Sequence, residues 1–463
     1  MTDYAGMLRP DRGEPARTLS IIDKAGLDAW LRAQPARVRA SLVAQSFAAD
    51  AHQLATVGGD EPDDWSAVLG VADAGKLSAW CLAKGATLPA GTYRLAVGAT
   101  PSAAALGWLL AQYRFNRYRK VEPDGARVLL AGDAASIAGH VAMAEAVSLV
   151  RDLVNTPAGD MGPQHIGDAA AGLAKTYGAD LRITRGDALE QGFPLIAAVG
   201  RAADKAYAPR LIELEWGDPA HPRVAVIGKG VSFDTGGLDI KPASGMRLMK
   251  KDMGGAAHAL ALAQLIMGAG LPVRLHLLIP AAENAIAGDA FRPGDILRSR
   301  TGLSVEVHNT DAEGRLLLAD ALTRAFEDAP DLAVDFATLT GAARVALGPD
   351  LPAMFADDEL ADALLDAARV VDDPLWRLPL WSGYDDMLKS DVADIANASD
   401  SPFAGAVTAA LFLRRFVPAG ARWAHLDTFA WTPADKPGRP RGGEALGLRA
   451  VYAMLVQRYA AAH

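Results

Sequence analysis

The feature that most constrains this chain is an alternation of helical and strand-like segments, running from about residue 160 almost to the last residue. Its anchor is Val224-Ala225-Val226-Ile227, an apolar run bounded by Pro222 and Gly228. Such a run suits a strand buried on both faces. Around it the pattern predicts helices at 166–177, 256–267, 407–416 and 446–459, and strands at 195–199, 211–216, 275–279, 334–339 and 423–426. That order predicts an α/β fold: a mixed sheet covered by helices on both faces. At 463 residues the chain is too long for one core. Short strands (18–22, 93–97) and helices (25–33, 102–113) precede the main pattern. They predict a small N-terminal α/β domain, 1–135, serving assembly or access. A larger catalytic domain, 136–463, opens with a connecting helix at 138–153 that Asn155-Thr156-Pro157 stops.

Charge and cysteine content exclude several classes. The net charge of -9 argues against a generally basic nucleic-acid surface. The short run Arg114-Phe115-Asn116-Arg117-Tyr118-Arg119-Lys120 reads better as a solvated helix end than as a base-stacking platform. With one cysteine, Cys81, there is no internal disulfide and no Cys/His zinc framework. The first residues carry no apolar signal region, and no apolar run reaches membrane-spanning length. A cytoplasmic protein is expected.

The chemistry gathers in two stretches. Asn309-Thr310-Asp311-Ala312-Glu313-Gly314-Arg315 sets two carboxylates two residues apart, ahead of the helix-forming Leu316-Leu317-Leu318-Ala319-Asp320-Ala321-Leu322. Acids entering a helix meet backbone N–H groups that favour negative charge. The second stretch, Gly228-Lys229-Gly230-Val231-Ser232-Phe233-Asp234-Thr235-Gly236-Gly237, reads as a glycine-dense loop at the carboxyl end of the central strand. That is where ligands bind in open α/β sheets. It is no P-loop, because Gly follows Lys229. It is no dinucleotide loop either, because Phe233 stands where the third Gly belongs. Lys241 and Asp252 follow, with Met253-Gly254-Gly255 after the acid. Taken singly, each Asp reads as a helix cap and each Lys as a surface ion pair. Together, three Asp, one Glu, two Lys and one Arg on Gly-rich segments of a hydrophobic domain need compensating charge, which metal ions provide.

On these residues the chain resembles the leucyl aminopeptidase (cytosol aminopeptidase, M17) family. The resemblance rests on Gly228-Lys229-Gly230, Phe233-Asp234-Thr235-Gly236-Gly237, Lys241, Met249-Lys250-Lys251-Asp252-Met253-Gly254-Gly255 and above all Asn309 to Arg315. Asp152-Leu153-Val154-Asn155-Thr156-Pro157, Ala337-Thr338-Leu339-Thr340-Gly341-Ala342 and Trp423-Ala424-His425-Leu426-Asp427 agree. It spans roughly residues 140–455.

The resemblance implies a metal-dependent aminopeptidase with two divalent ions per subunit, usually zinc or manganese. Asp234 and Glu313 would bridge them, Asp311 would complete one site, and Lys229 and Asp252 the other. A hydroxide shared between the ions would attack the first peptide bond. Lys241 would stabilise the oxyanion, and Arg315 would hold a bicarbonate as general base and acid. Met249, Thr338 and Gly341 match positions lining the pocket for the first side chain, and Leu339 one whose backbone contacts the substrate amine. A Met beside small residues suits an apolar, Leu- or Met-like first residue. His258 and His308 are discounted as bases, and no HExxH is present. Arg247 and Gly442-Gly443-Glu444-Ala445-Leu446-Gly447 depart from the family pattern, which bears on substrate preference. The family assembles as homohexamers. Alternatives are a dipeptide-specific amide hydrolase at the same site and an added DNA-binding architectural role. No membrane partner is expected.

Overall fold

Val224 to Ile227 lie in the strand Arg223–Gly228, at the middle of a nine-stranded sheet. The computed structural model describes residues 2–61, 63–120 and 124–460. Within these, the order across the large sheet is Trp376–Arg377, Ala353–Ala356, Trp423–Asp427, Leu332–Ala337, Arg223–Gly228, Arg274–Asn284, Arg210–Trp216 and Asp180–Arg185. The central strand pairs parallel with both neighbours, in register Val226↔Val334 and Val226↔Leu277. Arg274–Asn284 pairs antiparallel with Arg210–Trp216, so the sheet is mixed.

Helices cover the sheet on both faces because successive strand residues point opposite ways. Ala225 and Ile227 join the apolar cluster formed with helices Pro194–Gly200 and Gly314–Phe326. Helix Gly254–Gly268 packs on the same strand, against the face to which Val224 and Val226 point. Its residues 254–263 are all buried, so it has no polar stripe.

Two expectations are corrected. Residues 195–199 form a helix, Pro194–Gly200, not a strand. Pro194 occupies the first helical turn, where a missing N–H costs nothing, and the buried run Leu195 to Gly200 hides the helical period. The glycine-dense stretch is not all loop. Gly230–Asp234 is a strand, pairing parallel with the far end of Arg274–Asn284.

The chain divides into two compact units: Met1–Ser148 with Ala434–Arg441, and Leu149–Pro433 with Gly442–His463. The division falls inside the helix Ala134–Asn155. The smaller unit is built on a six-stranded sheet, parallel except for the edge strand Leu54–Gly58. Its helix Ala104–Leu110 is wholly buried, and Trp108 Nε1 donates to the Arg127 carbonyl at 2.9 Å. The late segment adds Arg439 to this unit, its guanidinium 4.9 Å from the Trp80 ring. No described helix is long and apolar enough to cross a membrane.

Candidate metal centre

Four parallel-sheet strands end at one place, and each delivers a polar group there. Lys229 follows Arg223–Gly228, Thr338 follows Leu332–Ala337, Asp427 ends Trp423–Asp427 and Asn284 ends Arg274–Asn284. Lys229 is the single residue between two strands, and its backbone is fixed on both sides. Its N–H donates to the Phe336 carbonyl at 3.0 Å, and its carbonyl accepts from Ala256 N at 2.8 Å. The close approach of helix to strand needs Gly255, where a Cβ would lie 2.1 Å from the Phe336 carbonyl oxygen. Gly314 likewise leaves room for the Lys229 side chain, since a Cβ there would meet its Cε at 2.4 Å.

The Lys229 Nζ lies 2.8 Å from Asp252 Oδ2 and 3.0 Å from Glu313 Oε1, and it donates to the Thr338 carbonyl at 3.2 Å. Lys241 Nζ lies 2.8 Å from Asp234 Oδ2 and pairs with Asp311. Carboxylate oxygens of Asp234, Asp252 and Glu313 fall within 4.8 Å of one another, all three residues buried. Lys229, Asp234, Lys241, Asp252 and Asp311 line a cavity of about 490 Å³, with Met249, Thr338, Leu339 and Gly341 on its walls. Glu313 and Arg315 are buried, the former at 1% exposure. The structure thus brings every residue of the sequence constellation into one neighbourhood.

The electrostatics show what the cage lacks. Four carboxylates face Lys229 and Lys241, with Lys251 3.6 Å from Asp252. Burial, and then the neighbouring Asp234, push the Glu313 and Asp311 carboxyls above the usual carboxylate range. Burial opposes the charged form of Lys229, yet Asp252, Glu313 and Asp234 outweigh it and hold the amine above its ordinary value. Lys241 is raised in the same way by Asp234 and Asp311. The buried oxygens Asp252 Oδ2 and Glu313 Oε1 share the one Lys229 ammonium, and Asp311 Oδ1 rests on Lys241, as ion-pair contacts outside good hydrogen-bond geometry. Oxygen donors with unused lone pairs, plus an amine, fit divalent cations. Arg315 also keeps a buried Nε without a partner, while its Nη1 donates to the Asn397 carbonyl at 2.6 Å. Burial pulls its pKa down to about 10.

Sequence reasoning missed the residues that hold the cage in shape. Asn397 accepts from His308 N at 2.8 Å and donates to the Asn309 carbonyl at 2.7 Å, bracing the acidic turn from 88 residues away. Asp239 accepts from Thr310 N at 2.7 Å, and Asn284 Nδ2 donates to Asp234 Oδ1 at 2.9 Å. Asp427 Oδ1 accepts from Leu339 N at 2.9 Å, and its Oδ2 accepts from Thr340 Oγ1 at 2.6 Å. It thereby fixes the wall segment after Thr338. Asp427 stood in a motif, but nothing in its spacing pointed to this partner.

The other flagged residues have structural places. His258 Nδ1 contacts the Gly254 carbonyl at 2.7 Å and its Nε2 accepts from Leu446 N at 3.0 Å, so it is a core brace. His308 Nε2 lies 3.1 Å from Glu306 Oε2. Arg247 is exposed and closes the short helix Ala243–Met246. Glu444 forms a buried pair with Arg151 at 2.9 Å.

A buried cage of carboxylates and amines at the strand ends of an α/β sheet defines a metal-dependent hydrolase. The comparisons give the family. The model of the cytosol aminopeptidase family catalytic domain matches residues 148–452, and that of the M17 aminopeptidase N-terminal domain residues 18–131. A probable cytosol aminopeptidase of Syntrophotalea carbinolica is 42% identical over 370 residues, covering 76% of this chain and 74% of the relative. One from Roseiflexus castenholzii is 43% identical over 364 residues, covering 74% and 73%. The crystal structure of the Coxiella burnetii cytosol aminopeptidase superposes with a TM-score of 0.93 at 46% identity, covering 98% of this chain and all of that one, 100%. The bottromycin maturation enzyme BotP in complex with Mn matches with a TM-score of 0.86 at 34% identity, covering 98% and 100%. The chain belongs to the cytosol aminopeptidase (M17) family and is a metal-dependent aminopeptidase.

Proposed function

We propose that two divalent ions, zinc or manganese, are held by Lys229, Asp234, Asp252, Asp311 and Glu313, and that the protein releases the first residue of peptides bearing a free α-amine. The observation that carries this reading is the buried cluster of Asp234, Asp252 and Glu313, whose oxygens lie within 4.8 Å of one another, with Asp311 beside it and only two lysine ammoniums in contact with the four acids' facing oxygens. On this reading Asp234 and Glu313 would serve both ions, Asp311 would complete one site, and Lys229 with Asp252 would complete the other. The manganese complex of BotP supports manganese as one candidate. Bound, the ions act as Lewis acids and lower the proton affinity of water enough to supply a nucleophile near neutral pH.

The chain's own groups do the rest. Lys229, which its acidic neighbours hold protonated, would release that proton to solvent when metal binds and act as a neutral donor. Lys241 keeps its proton and donates to the oxyanion as it develops at the scissile carbonyl. Arg315, with its unpartnered buried Nε, would hold a bicarbonate, which would supply the general base and acid. The substrate amine is received at the Lys229–Asp252 end of the cavity, against the Leu339 backbone that Asp427 positions. Met249, Thr338 and Gly341 receive the first side chain, of Leu or Met type. The reading extends to a cytoplasmic homohexamer.

The test is hydrolysis of aminoacyl-p-nitroanilides by chelated and then Mn- or Zn-reconstituted protein. Activity is expected to vanish on chelation and return with metal, and N-acetylated substrates are expected to resist. Equal cleavage of acetylated and free substrates would overturn the reading.

A further inference from the structure

The cavity wall carries two cations that the reaction does not use. Lys251 and Arg344 both line it, on either side in sequence of the strand-end groups, and both lie against Phe429. Lys251 Nζ is 5.3 Å from the Phe429 ring centroid and the Arg344 guanidinium 4.9 Å from it. Lys251 is only 5% exposed. The nearest acid to it, Asp252, stands 3.6 Å away through Oδ1, an oxygen that already accepts from Thr338 Oγ1 at 2.7 Å. Arg344 has no acidic partner among the described residues. The remaining acids of the cavity are engaged: Asp234 and Asp311 by Lys241, and Asp427 by Leu339 and Thr340. Asp252 is thus shared between Lys229 and Lys251, and Arg344 has no acid of its own, so this wall carries an excess of positive charge that an anion would offset.

We propose that Lys251, Arg344 and Phe429 form a carboxylate-binding subsite, and that the enzyme takes glutamate as the first residue alongside apolar ones. This rests on the reading of the cavity given above. The methylenes of a glutamate lie along the Met249 wall, and its carboxylate reaches the two cations. Burial of Lys251 beside the Phe429 ring keeps water from its ammonium, which strengthens a charge-assisted hydrogen bond there. The carboxylate could come from the first side chain or from the C-terminus of a very short peptide. Lys251 adjoins Asp252, at the end that receives the α-amine, which favours the first side chain. A peptide C-terminus lies at least one further residue away.

The experiment uses the metal-reconstituted full-length protein and four substrates. Glu-p-nitroanilide and Gln-p-nitroanilide carry no terminal carboxylate and differ only in side-chain charge. Leu-Gly and Leu-Gly-amide differ only at the C-terminus. The expected kcat/KM ratio of Glu to Gln is about tenfold or more, the size of one charge-assisted hydrogen bond. It is expected to fall toward one in Lys251→Met and in Arg344→Ala, mainly through KM. Arg344 is exposed, so its variant tests the proposal even where replacing the buried lysine impairs folding. Leu-Gly and its amide are expected to be cut alike. A Glu-to-Gln ratio of one or less, in protein that cleaves Leu-p-nitroanilide, overturns the subsite and leaves the aminopeptidase reading intact. A marked preference for Leu-Gly over its amide assigns the cations to the peptide C-terminus and also overturns it. No cleavage of any anilide overturns the aminopeptidase reading itself.

Discussion

Two buried charge clusters lie in the large unit, and they are opposites. Glu213, on the strand Arg210–Trp216, is 3% exposed, and Glu313, in the metal cage, is 1% exposed. Glu213 accepts from Arg182 Nε at 2.9 Å and Arg324 Nε at 3.0 Å, with His276 Nε2 at 3.4 Å. Burial works against its charge, but His276, Arg182 and Arg324 outweigh it and the carboxyl falls below its usual value. Glu313 has one lysine, shared with Asp252, and its carboxyl rises. Opposite shifts at two buried glutamates separate a carboxyl whose cationic partners lie in the chain from one that, on the proposed reading, is left for an outside cation. It is the unmet charge, not charge density, that marks the site.

The contrast sets the order of expected effects. The largest is on turnover: chelation, Asp311→Asn and Glu313→Gln should each lower kcat by about three orders of magnitude or more, whereas Glu213→Gln should leave metal dependence unaltered. Kinetics on Leu-p-nitroanilide with and without added manganese decide it. Next, Lys241→Ala should cost about 10²–10³ in kcat while metal content by elemental analysis stays the same. Loss of metal along with activity would place Lys241 among the structural supports instead. Third, Glu213→Ala should destabilise the fold by about 1–3 kcal/mol, because it takes the carboxylate partner from the half-buried Arg324 and the buried His276, and urea denaturation measures it. A change within about 0.5 kcal/mol would remove the balanced half of the comparison.

The smallest effect is on pH dependence, and its sign differs between the clusters. The lowered Glu213 carboxyl contributes stability that is full above its unfolded value near 4.5 and lost as pH falls through its folded value. The raised Glu313 carboxyl acts the other way in chelated protein. Its unfolded form releases the proton near 4.5 while the folded form keeps it, so stability declines as pH rises from there. Melting temperatures of chelated protein across this range should decline less in Glu313→Gln than in the parent. A parallel decline would show that the cage is not the source.

Much of the site was legible because its residues carry their own context. Asp311, Glu313 and Gly314 stand together at the start of a helix, and Lys229 stands between Gly228, against which the helix Gly254–Gly268 closes, and Gly230, against which the strand Arg274–Asn284 packs. What was illegible depends on contacts across the chain. Asn397 braces Asn309 from 88 residues away, and Asp427 holds Leu339 across another 88. No local pattern encodes either pairing. The fold was readable at the central strand, whose flanking Pro and Gly bound it. It was misread at 195–199, where an apolar run hides the difference between strand and buried helix, and at Gly230–Asp234, where glycine density looked like loop. Lys251 and Arg344 had no periodic signal, and only their shared ring made them a pair.

The most direct test of the central claim is metal stoichiometry. Protein stripped with chelator, reloaded with manganese and desalted should carry two ions per chain by elemental analysis, and Glu313→Gln should carry one or fewer. Wild-type protein that cleaves Leu-p-nitroanilide with fewer than one ion bound, or a Glu313→Gln variant retaining both, would contradict the account.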